Sequence, residues 1–317
     1  MNLPKVEALE NINLNLNSGE RLGIVGESGS GKTMLGLCIL GIAPESAKIS
    51  GEFKYHGKNM LDASEGTWMK LRLKEIAMVF QEPMSALNPI KRIGETLSEP
   101  IRIHQNLSYS DSKKRALSLL KEVGLPQVDV KINQFPHELS GGQRQRVLIA
   151  LALSCDPKVL IADEPTSALD ANTALQITDL LVSISINRKM ALIFISHDLN
   201  AVARTMQYLA VMFKGEIIEQ GPTDDILTDP KQNYTKGLIS ARPNLNSKTR
   251  KKDGKRPRLT TMEEFFIAKK EDFSTKPSKP KKTPRLRILI TFTDLNFDFV
   301  NKLFIFILLN LFTCSFL

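Results

Sequence analysis

Apolar residues recur along this chain at two spacings, which predict strands in some segments and helices in others. Between residues 9 and 25 apolar and polar positions alternate, and this period of two is typical of half-buried strands, here with Ile12, Leu14 and Leu16 on the apolar side. Further strands are predicted at 51–55 and, from almost wholly apolar runs, at 76–80, 159–162 and 191–195. Helical segments lie between several of these runs, and strands that alternate with helices favour an α/β fold with a parallel sheet.

Residues 90–130 interrupt the alternation of strands and helices with a long segment of helical spacing. Its apolar positions are Leu97, Ile101, Ile103, Ala116, Leu119, Leu120 and Val123. Gly124 and Pro126 then supply a helix stop signal, and another helix is predicted from about Gly142 to Ser154. We therefore expect a helical insert over about residues 90–157 of an α/β core.

Residues 26–33 fit the pattern G-x-x-x-x-G-K-[ST] at every specified position. A strand-type run precedes them and a segment able to open a helix follows, which is the context that a phosphate-binding loop requires. Backbone N–H groups and the helix dipole can then surround phosphates, with Lys32 on the β- and γ-phosphates and the Thr33 hydroxyl on Mg²⁺. An ordinary glycine-rich turn is the alternative. The predicted nucleotide-binding residues are Gly26, Glu27, Ser28, Gly29, Ser30, Gly31, Lys32 and Thr33.

Two adjacent carboxylates, Asp163 and Glu164, follow the apolar run at 159–162. A carboxylate at the end of such a strand can hold Mg²⁺, as the Walker B aspartate does, and its neighbour can polarise an attacking water. Two acids after a strand more often cap a helix or lie in a solvated loop. Because these lie downstream of a phosphate loop, we predict that Asp163 is a metal ligand and Glu164 a catalytic residue.

A second candidate anion site opens the helix predicted near residue 142, where the chain reads Leu-Ser-Gly-Gly-Gln over 139–143. Ser140 is a good N-cap, and the glycines that follow leave backbone N–H groups accessible. One chain can hardly fold both anion sites around one nucleotide. We therefore expect Ser140, Gly141, Gly142 and Gln143 to complete a nucleotide pocket on a partner molecule.

The positive charge of the chain is concentrated near its C-terminal end. The formal net charge is +9, yet residues 1–243 are formally neutral, while residues 244–287 hold fifteen Lys or Arg and five Asp or Glu. The core therefore lacks the basic footprint of a nucleic-acid-binding protein, and no nucleic-acid partner is expected. Residues 244–287 are interpreted as a Pro- and Lys-rich linker or, alternatively, a segment attracted to anionic lipid. The apolar residues 288–317 are interpreted as the truncated start of a second domain or, alternatively, a tail anchor.

These motifs together resemble the nucleotide-binding domain of ABC transporters, over about residues 1–243. In that comparison Gln81 resembles the Q-loop glutamine, Asp170 the D-loop aspartate and His197 the switch histidine. Alone, a Gln or a His in such a place is more often structural. The resemblance implies a P-loop NTPase core of the RecA-like type, an N-terminal antiparallel β subdomain and an inserted helical subdomain.

The resemblance also implies roles and partners. Glu164, His197 and Gln81 would be catalytic, Asp170 would contribute to the nucleotide site, and Thr33, Gln81 and Asp163 would hold Mg²⁺ beside ATP. Two such domains would form a homo- or heterodimer under transmembrane permease subunits, peripheral to the cytoplasmic face of the inner membrane. An aromatic side chain that stacks on adenine is expected well before the phosphate loop, and this chain begins too late to carry one.

The segments at 80–89 and 233–243 resemble the oligopeptide and dipeptide importers within this family. An ATPase subunit for uptake of peptides or similar solutes is therefore predicted, with a solute-binding protein as an indirect partner. Two other functions stay open on the sequence: a soluble ABC ATPase of translation or DNA repair, and a non-catalytic remnant that binds only nucleotide or a partner. The sequence shows no long heptad coiled coil of the repair type.

Overall fold

The computed structural model describes residues 6–44, 47–241 and 288–292. The strands are β1 (Val6–Leu9), β2 (Arg21–Val25), β3 (Ala47–Gly51), β4 (Lys54–Tyr55), β5 (Lys58–Asn59), β6 (Ile76–Val79), β7 (Val159–Asp163), β8 (Ala191–Ser196), β9 (Tyr208–Phe213), β10 (Glu216–Pro222) and β11 (Ile288–Phe292). The helices are α1 (Lys32–Ile39), α2 (Glu65–Leu71), α3 (Pro83–Ala86), α4 (Ile93–Gln105), α5 (Tyr109–Glu122), α6 (Val128–Lys131), a 3₁₀ turn (Pro136–Glu138), α7 (Gly141–Ala152), α8 (Ala171–Arg188), α9 (Leu199–Thr205), α10 (Thr223–Thr228) and α11 (Asn233–Ser240).

The main sheet has six strands in the order β10-β9-β2-β8-β7-β6. The pairs from β9 to β6 are parallel, which confirms the predicted parallel core, and only β10 runs antiparallel to its neighbour β9. Val25 of β2 lies opposite Ser196 of β8, and Asp163 of β7 lies opposite Ile195. The carboxyl ends of β2, β8, β7 and β6 therefore meet along one edge, where α/β sheets bind ligands.

The two faces of this sheet pack into two hydrophobic cores. Successive side chains of a strand point to opposite faces, so Leu160 and Leu192 lie in the core beneath α7 and α8, while Ile161 and Ile193 lie in the core with α1. β8 is buried at all six positions. Burial on both faces explains why the apolar runs at 159–162 and 191–195 show no alternation.

Between β6 and β7 the chain is helical, as the predicted insert requires. The apolar positions of α4 and α5 are fully buried at Leu97, Ile101, Leu119 and Leu120. The predicted stop signal is confirmed at Gly124, whose left-handed φ of 68° reverses the chain after α5 while its N–H donates to the Lys121 carbonyl.

The strand predicted from residue 9 is wrong for residues 10–17, which form no regular strand, and a turn at Ser18 and Gly19 then precedes β2. Asn11 adopts a left-handed conformation with φ 51°, which breaks the extended run after β1. Ile12 is nevertheless fully buried. The apolar alternation therefore predicted the burial of this residue correctly, although the segment does not pair as a strand. The predicted strand at 51–55 is likewise split, because β3 ends at Gly51 with φ 116° and β4 begins at Lys54.

A three-stranded antiparallel sheet has the order β1-β11-β3, so it is not built from N-terminal residues alone, as the expected β subdomain would be. Its middle strand is 288–292, from the segment interpreted above as the start of a second domain; Ile290 pairs with Ile49 on one side and Leu9 on the other. The interpretations of residues 242–287 and 293–317 lie outside the described residues. Within the described ranges no helix combines the length and apolar character needed to cross a bilayer.

Candidate nucleotide-binding site

The phosphate loop connects β2 to α1 and is closely packed from behind. A Cβ on Gly26 would lie 2.3 Å from the Met212 carbonyl oxygen, and one on Gly31 would lie 2.8 Å from Leu9 Cδ2. Gly31 also has a left-handed φ of 98° and caps α1. Glycine is therefore required at both positions, by close approach and by conformation.

Lys32 is buried and folds back over the loop, where its Nζ donates to the carbonyl oxygens of Gly26 and Glu27, each at 2.8 Å. Burial lowers the pKa of the Lys32 ammonium, opposed by the charges of Glu164 and Asp163. A buried cation held by neutral carbonyls can exchange these partners for phosphate oxygens. The loop residues therefore fit a nucleoside triphosphate.

Asp163 ends β7 and is 2% exposed. Burial raises the pKa of its carboxyl to about 6, while a hydrogen bond from the Thr33 side chain lowers it and the charge of Glu164 raises it further. Its Oδ1 has no hydrogen-bond partner among the described residues. A buried carboxylate oxygen without a partner, beside a hydroxyl, is the donor set that Mg²⁺ prefers, so these residues fit the expected metal.

Glu164 and His197 contact each other directly. Glu164 Oε2 lies 2.8 Å from His197 Nδ1, a distance that a proton on Nδ1 bridges. Glu164 has a left-handed φ of 46°, and its N–H donates to the Ile195 carbonyl, which turns the side chain along the sheet edge. Its side chain is 11% exposed and that of His197 is 65% exposed. A solvent-facing imidazole thus orients a carboxylate at the mouth of the site.

Gln81 follows β6 at the same sheet edge and is exposed. It lines a small cavity together with Gly141, Arg144 and Leu169. Gln81 therefore lies between the edge that carries Asp163 and the start of α7. The Leu-Ser-Gly-Gly-Gln segment at 139–143, which opens α7, is called the signature segment below.

The signature segment begins α7 in a reciprocal capping arrangement. The Ser140 hydroxyl accepts from the Gln143 N–H, and the Gln143 side chain accepts from the Ser140 N–H at 3.1 Å. Asp170 caps the next helix, α8, by accepting from the Thr173 N–H at 3.0 Å. Hydrogen bonds from the Thr173 side chain and then from its N–H lower the pKa of the Asp170 carboxyl. The structure thus places Ser140 and Asp170 at two adjacent helix starts.

Comparisons with known proteins decide the family. Residues 9–167 match the family described as ABC transporter. The chain is 43% identical over 244 residues to the dipeptide transport ATP-binding protein DppD of Lactococcus lactis, covering 76% of this chain and 70% of that one. The chain belongs to the ABC transporter ATP-binding family. This ABC ATPase is also 40% identical to the oligopeptide transport ATP-binding protein OppD of Escherichia coli, over 76% of this chain and 72% of that one.

Solved ABC cassettes share the fold of this ABC ATPase. One is the dimeric structure of a post-hydrolysis state of the ATP-binding cassette MJ0796 bound to ADP and Pi, with a TM-score of 0.61 and 32% identity. The match covers 69% of this chain and 91% of that one. The predicted α/β fold and the predicted ATPase class are confirmed; the roles of the individual site residues stay predictions.

The sequence analysis missed one contact at the phosphate loop of this ABC ATPase. The phenol oxygen of Tyr234, on α11, accepts a hydrogen bond from the Glu27 N–H at 3.0 Å. Tyr234 lies in residues 218–271, which match the C-terminal region of oligopeptide/dipeptide transporters. The sequence marked this segment as a feature of the subfamily, but no local pattern connects it to the loop.

Proposed function

We propose that this ABC ATPase binds ATP with Mg²⁺ at the carboxyl edge of its sheet and couples hydrolysis to uptake of peptides through a separate permease. One observation carries the proposal: four neighbouring parallel strands end in the phosphate loop, His197, the Asp163–Glu164 pair and Gln81. These groups can grip a triphosphate, hold its metal and activate water on one side.

Positioning and electrostatics supply the rate in phosphoryl transfer. The loop N–H groups and Lys32 would hold the phosphates, while Thr33, Asp163 and Gln81 would hold Mg²⁺. When bound, Mg²⁺ neutralises charge on the β- and γ-phosphate oxygens. The unpartnered Oδ1 of Asp163 supports this ligand set.

Glu164 orients the attacking water and accepts its proton. His197 holds Glu164 through Nδ1, so its other ring nitrogen would be available to the γ-phosphate. This arrangement extends the predicted role of His197, because the imidazole positions the base as well as the phosphate.

A second ABC domain completes the site. The N–H groups at the start of α7, in the signature segment, would face a nucleotide held by another subunit. Two solved relatives of the same fold are described as dimeric. We infer a head-to-tail dimer, homo- or heteromeric, in which Asp170 lies near the shared boundary.

Peptide uptake is favoured over the other two functions. The match over 218–271 and the relatives named for dipeptide and oligopeptide transport support a peptide importer over a soluble ABC ATPase. The intact set of charged groups favours an active enzyme over a remnant. The partners proposed are permease subunits, with a solute-binding protein acting through them, and the site of action is the cytoplasmic face of the membrane.

The test is reconstitution with peptide permease subunits, in vesicles that contain a peptide-binding protein. We expect ATP hydrolysis that rises with peptide, and peptide accumulation that depends on ATP. Glu164→Gln is the matched control: it should keep ATP binding and lower turnover by about 10²- to 10⁴-fold, the usual contribution of a general base. Turnover of Glu164→Gln near that of the parent would contradict the assignment of the base.

A further inference from the structure

We propose that Tyr234 is a positioning residue that fixes the phosphate loop from the C-terminal helix α11. This inference rests on the proposed ATPase function. Tyr234 lies outside the phosphate loop at 26–33, the Asp163–Glu164 pair and the segment at 139–143. Its basis is the hydrogen bond from the Glu27 N–H to the Tyr234 phenol oxygen, at 3.0 Å.

The Tyr234 side chain is buried and packed against a second aromatic ring. Tyr234 is 5% exposed, and its ring lies 4.5 Å from that of Phe213, at the end of β9. The residue before Phe213, Met212, places its carbonyl oxygen against Gly26. The ring and the loop are thus supported by the same strand, so little freedom is lost when the bond forms.

Three groups bond to the backbone of Glu27, one of them the Ser30 N–H, which donates to the Glu27 carbonyl at 3.2 Å, and only Lys32 must leave when ATP arrives. Lys32 donates to the Glu27 carbonyl, but the same ammonium is needed on the phosphates. Tyr234 holds the Glu27 N–H from the protein side. It can therefore keep the loop in shape while Lys32 exchanges partners.

The bond is insensitive to pH over the working range. Burial raises the pKa of the Tyr234 phenol to about 12, so the phenol stays neutral. Loss of this acceptor would leave the part-buried Glu27 N–H without its protein partner, so the variant should lose the net contribution of one hydrogen bond. The effect should fall on nucleotide binding, because the loop is the part released.

Tyr234→Phe tests the proposal because it removes only the hydroxyl and keeps the ring on Phe213. We expect the KM and Kd for ATP to rise roughly 2- to 10-fold, the range for the net contribution of one hydrogen bond, with kcat at saturating ATP close to that of the parent. Tyr55→Phe is the matched control, since that phenol, bonded to Glu75 at 2.7 Å, lies on β4. Tyr55→Phe should leave both ATP constants unchanged.

A double-mutant cycle with Glu27→Pro isolates the bond, because proline has no N–H. If the bond acts as proposed, adding Tyr234→Phe to Glu27→Pro has no further effect on the Kd for ATP. An equal penalty in both backgrounds, or an unchanged Kd in Tyr234→Phe alone, overturns the proposal.

Hydrogen exchange of the Glu27 amide in nucleotide-free protein provides a readout that does not depend on ATP hydrolysis. We expect protection in the parent and in Tyr55→Phe, and its loss in Tyr234→Phe. Protection retained in Tyr234→Phe overturns the proposal even if the protein proves to be an active ATPase. Lost protection in a protein that hydrolyses no ATP would instead fault the proposed function.

Discussion

At the residue scale, burial of Asp163, the proposed metal ligand, lowers the stability of the fold without nucleotide. Its carboxyl is buried with an unpartnered oxygen, and burial raises its pKa from 3.8 to about 6. A raised pKa means that the folded state binds the proton more tightly than the unfolded state does. The free energy of unfolding therefore decreases as the pH rises from about 4 to 6, and the penalty is fully present above pH 6.

Asp163→Asn should accordingly stabilise the nucleotide-free protein at pH 7.5, by about 1–3 kcal/mol, because the amide has no charge to desolvate. The gain should shrink toward zero near pH 4, where both side chains are neutral. Urea unfolding from pH 4 to 8, without nucleotide or Mg²⁺, measures it. A difference between the two proteins that does not change with pH would contradict the raised pKa, and Mg²⁺-dependent hydrolysis should be lost in the variant.

At the element scale, the start of the signature helix is fitted to the start of α8. A Cβ on Gly142 would lie 2.6 Å from Thr173 Cγ2, whereas one on Gly141 would meet Leu169 Cδ2 at an ordinary 3.7 Å. Thr173 is held by its own N–H, which donates to Asp170. The second glycine of the signature therefore has a packing reason as well as the expected role in anion binding.

Gly142→Ala should lower the free energy of unfolding by about 1–3 kcal/mol through overpacking, reduced by the better helix propensity of alanine. Gly141→Ala is the matched control and should be neutral or stabilising. Thr173→Ser deletes the opposing methyl group and should restore most of the stability of Gly142→Ala. Chemical denaturation of the parent, Gly141→Ala, Gly142→Ala and the double variant Gly142→Ala/Thr173→Ser tests this. A double variant no more stable than Gly142→Ala would exclude the proposed contact.

The antiparallel sheet depends on a strand from the far end of the described chain. β11 is its middle strand, so both of its backbone edges are paired, and Ile290→Pro should break a ladder bond. We expect faster hydrogen exchange over 6–9 and 47–51 and weaker ATP binding, because Leu9 packs against Gly31. Ile290→Val is the control. Unchanged exchange in Ile290→Pro would show that β1 and β3 hold without β11.

At the scale of the whole molecule, local patterns predicted the parts that depend on neighbours in sequence. The loop glycines and the residues that follow β7 and β8 could be located because each motif is tied to its own strand end. The Tyr234–Glu27 bond and the β11 pairing could not be, because each joins distant segments through tertiary packing. The alternation over residues 9–25 predicted burial but not pairing, since a single left-handed residue, Asn11, redirects the chain.

The dimer gives the last prediction, which concerns two copies of the chain. Lys32→Ala should disable the phosphate loop, and Gly141→Glu should repel phosphate at the signature, so either variant alone should hydrolyse little ATP. In a head-to-tail homodimer, one site of each mixed dimer carries both defects and the other carries none. Random pairing makes half of the dimers mixed, so about a quarter of all sites are intact. ATPase activity of an equal mixture should approach that fraction of the parent; a mixture no better than the average of its two components would exclude sites shared between identical subunits.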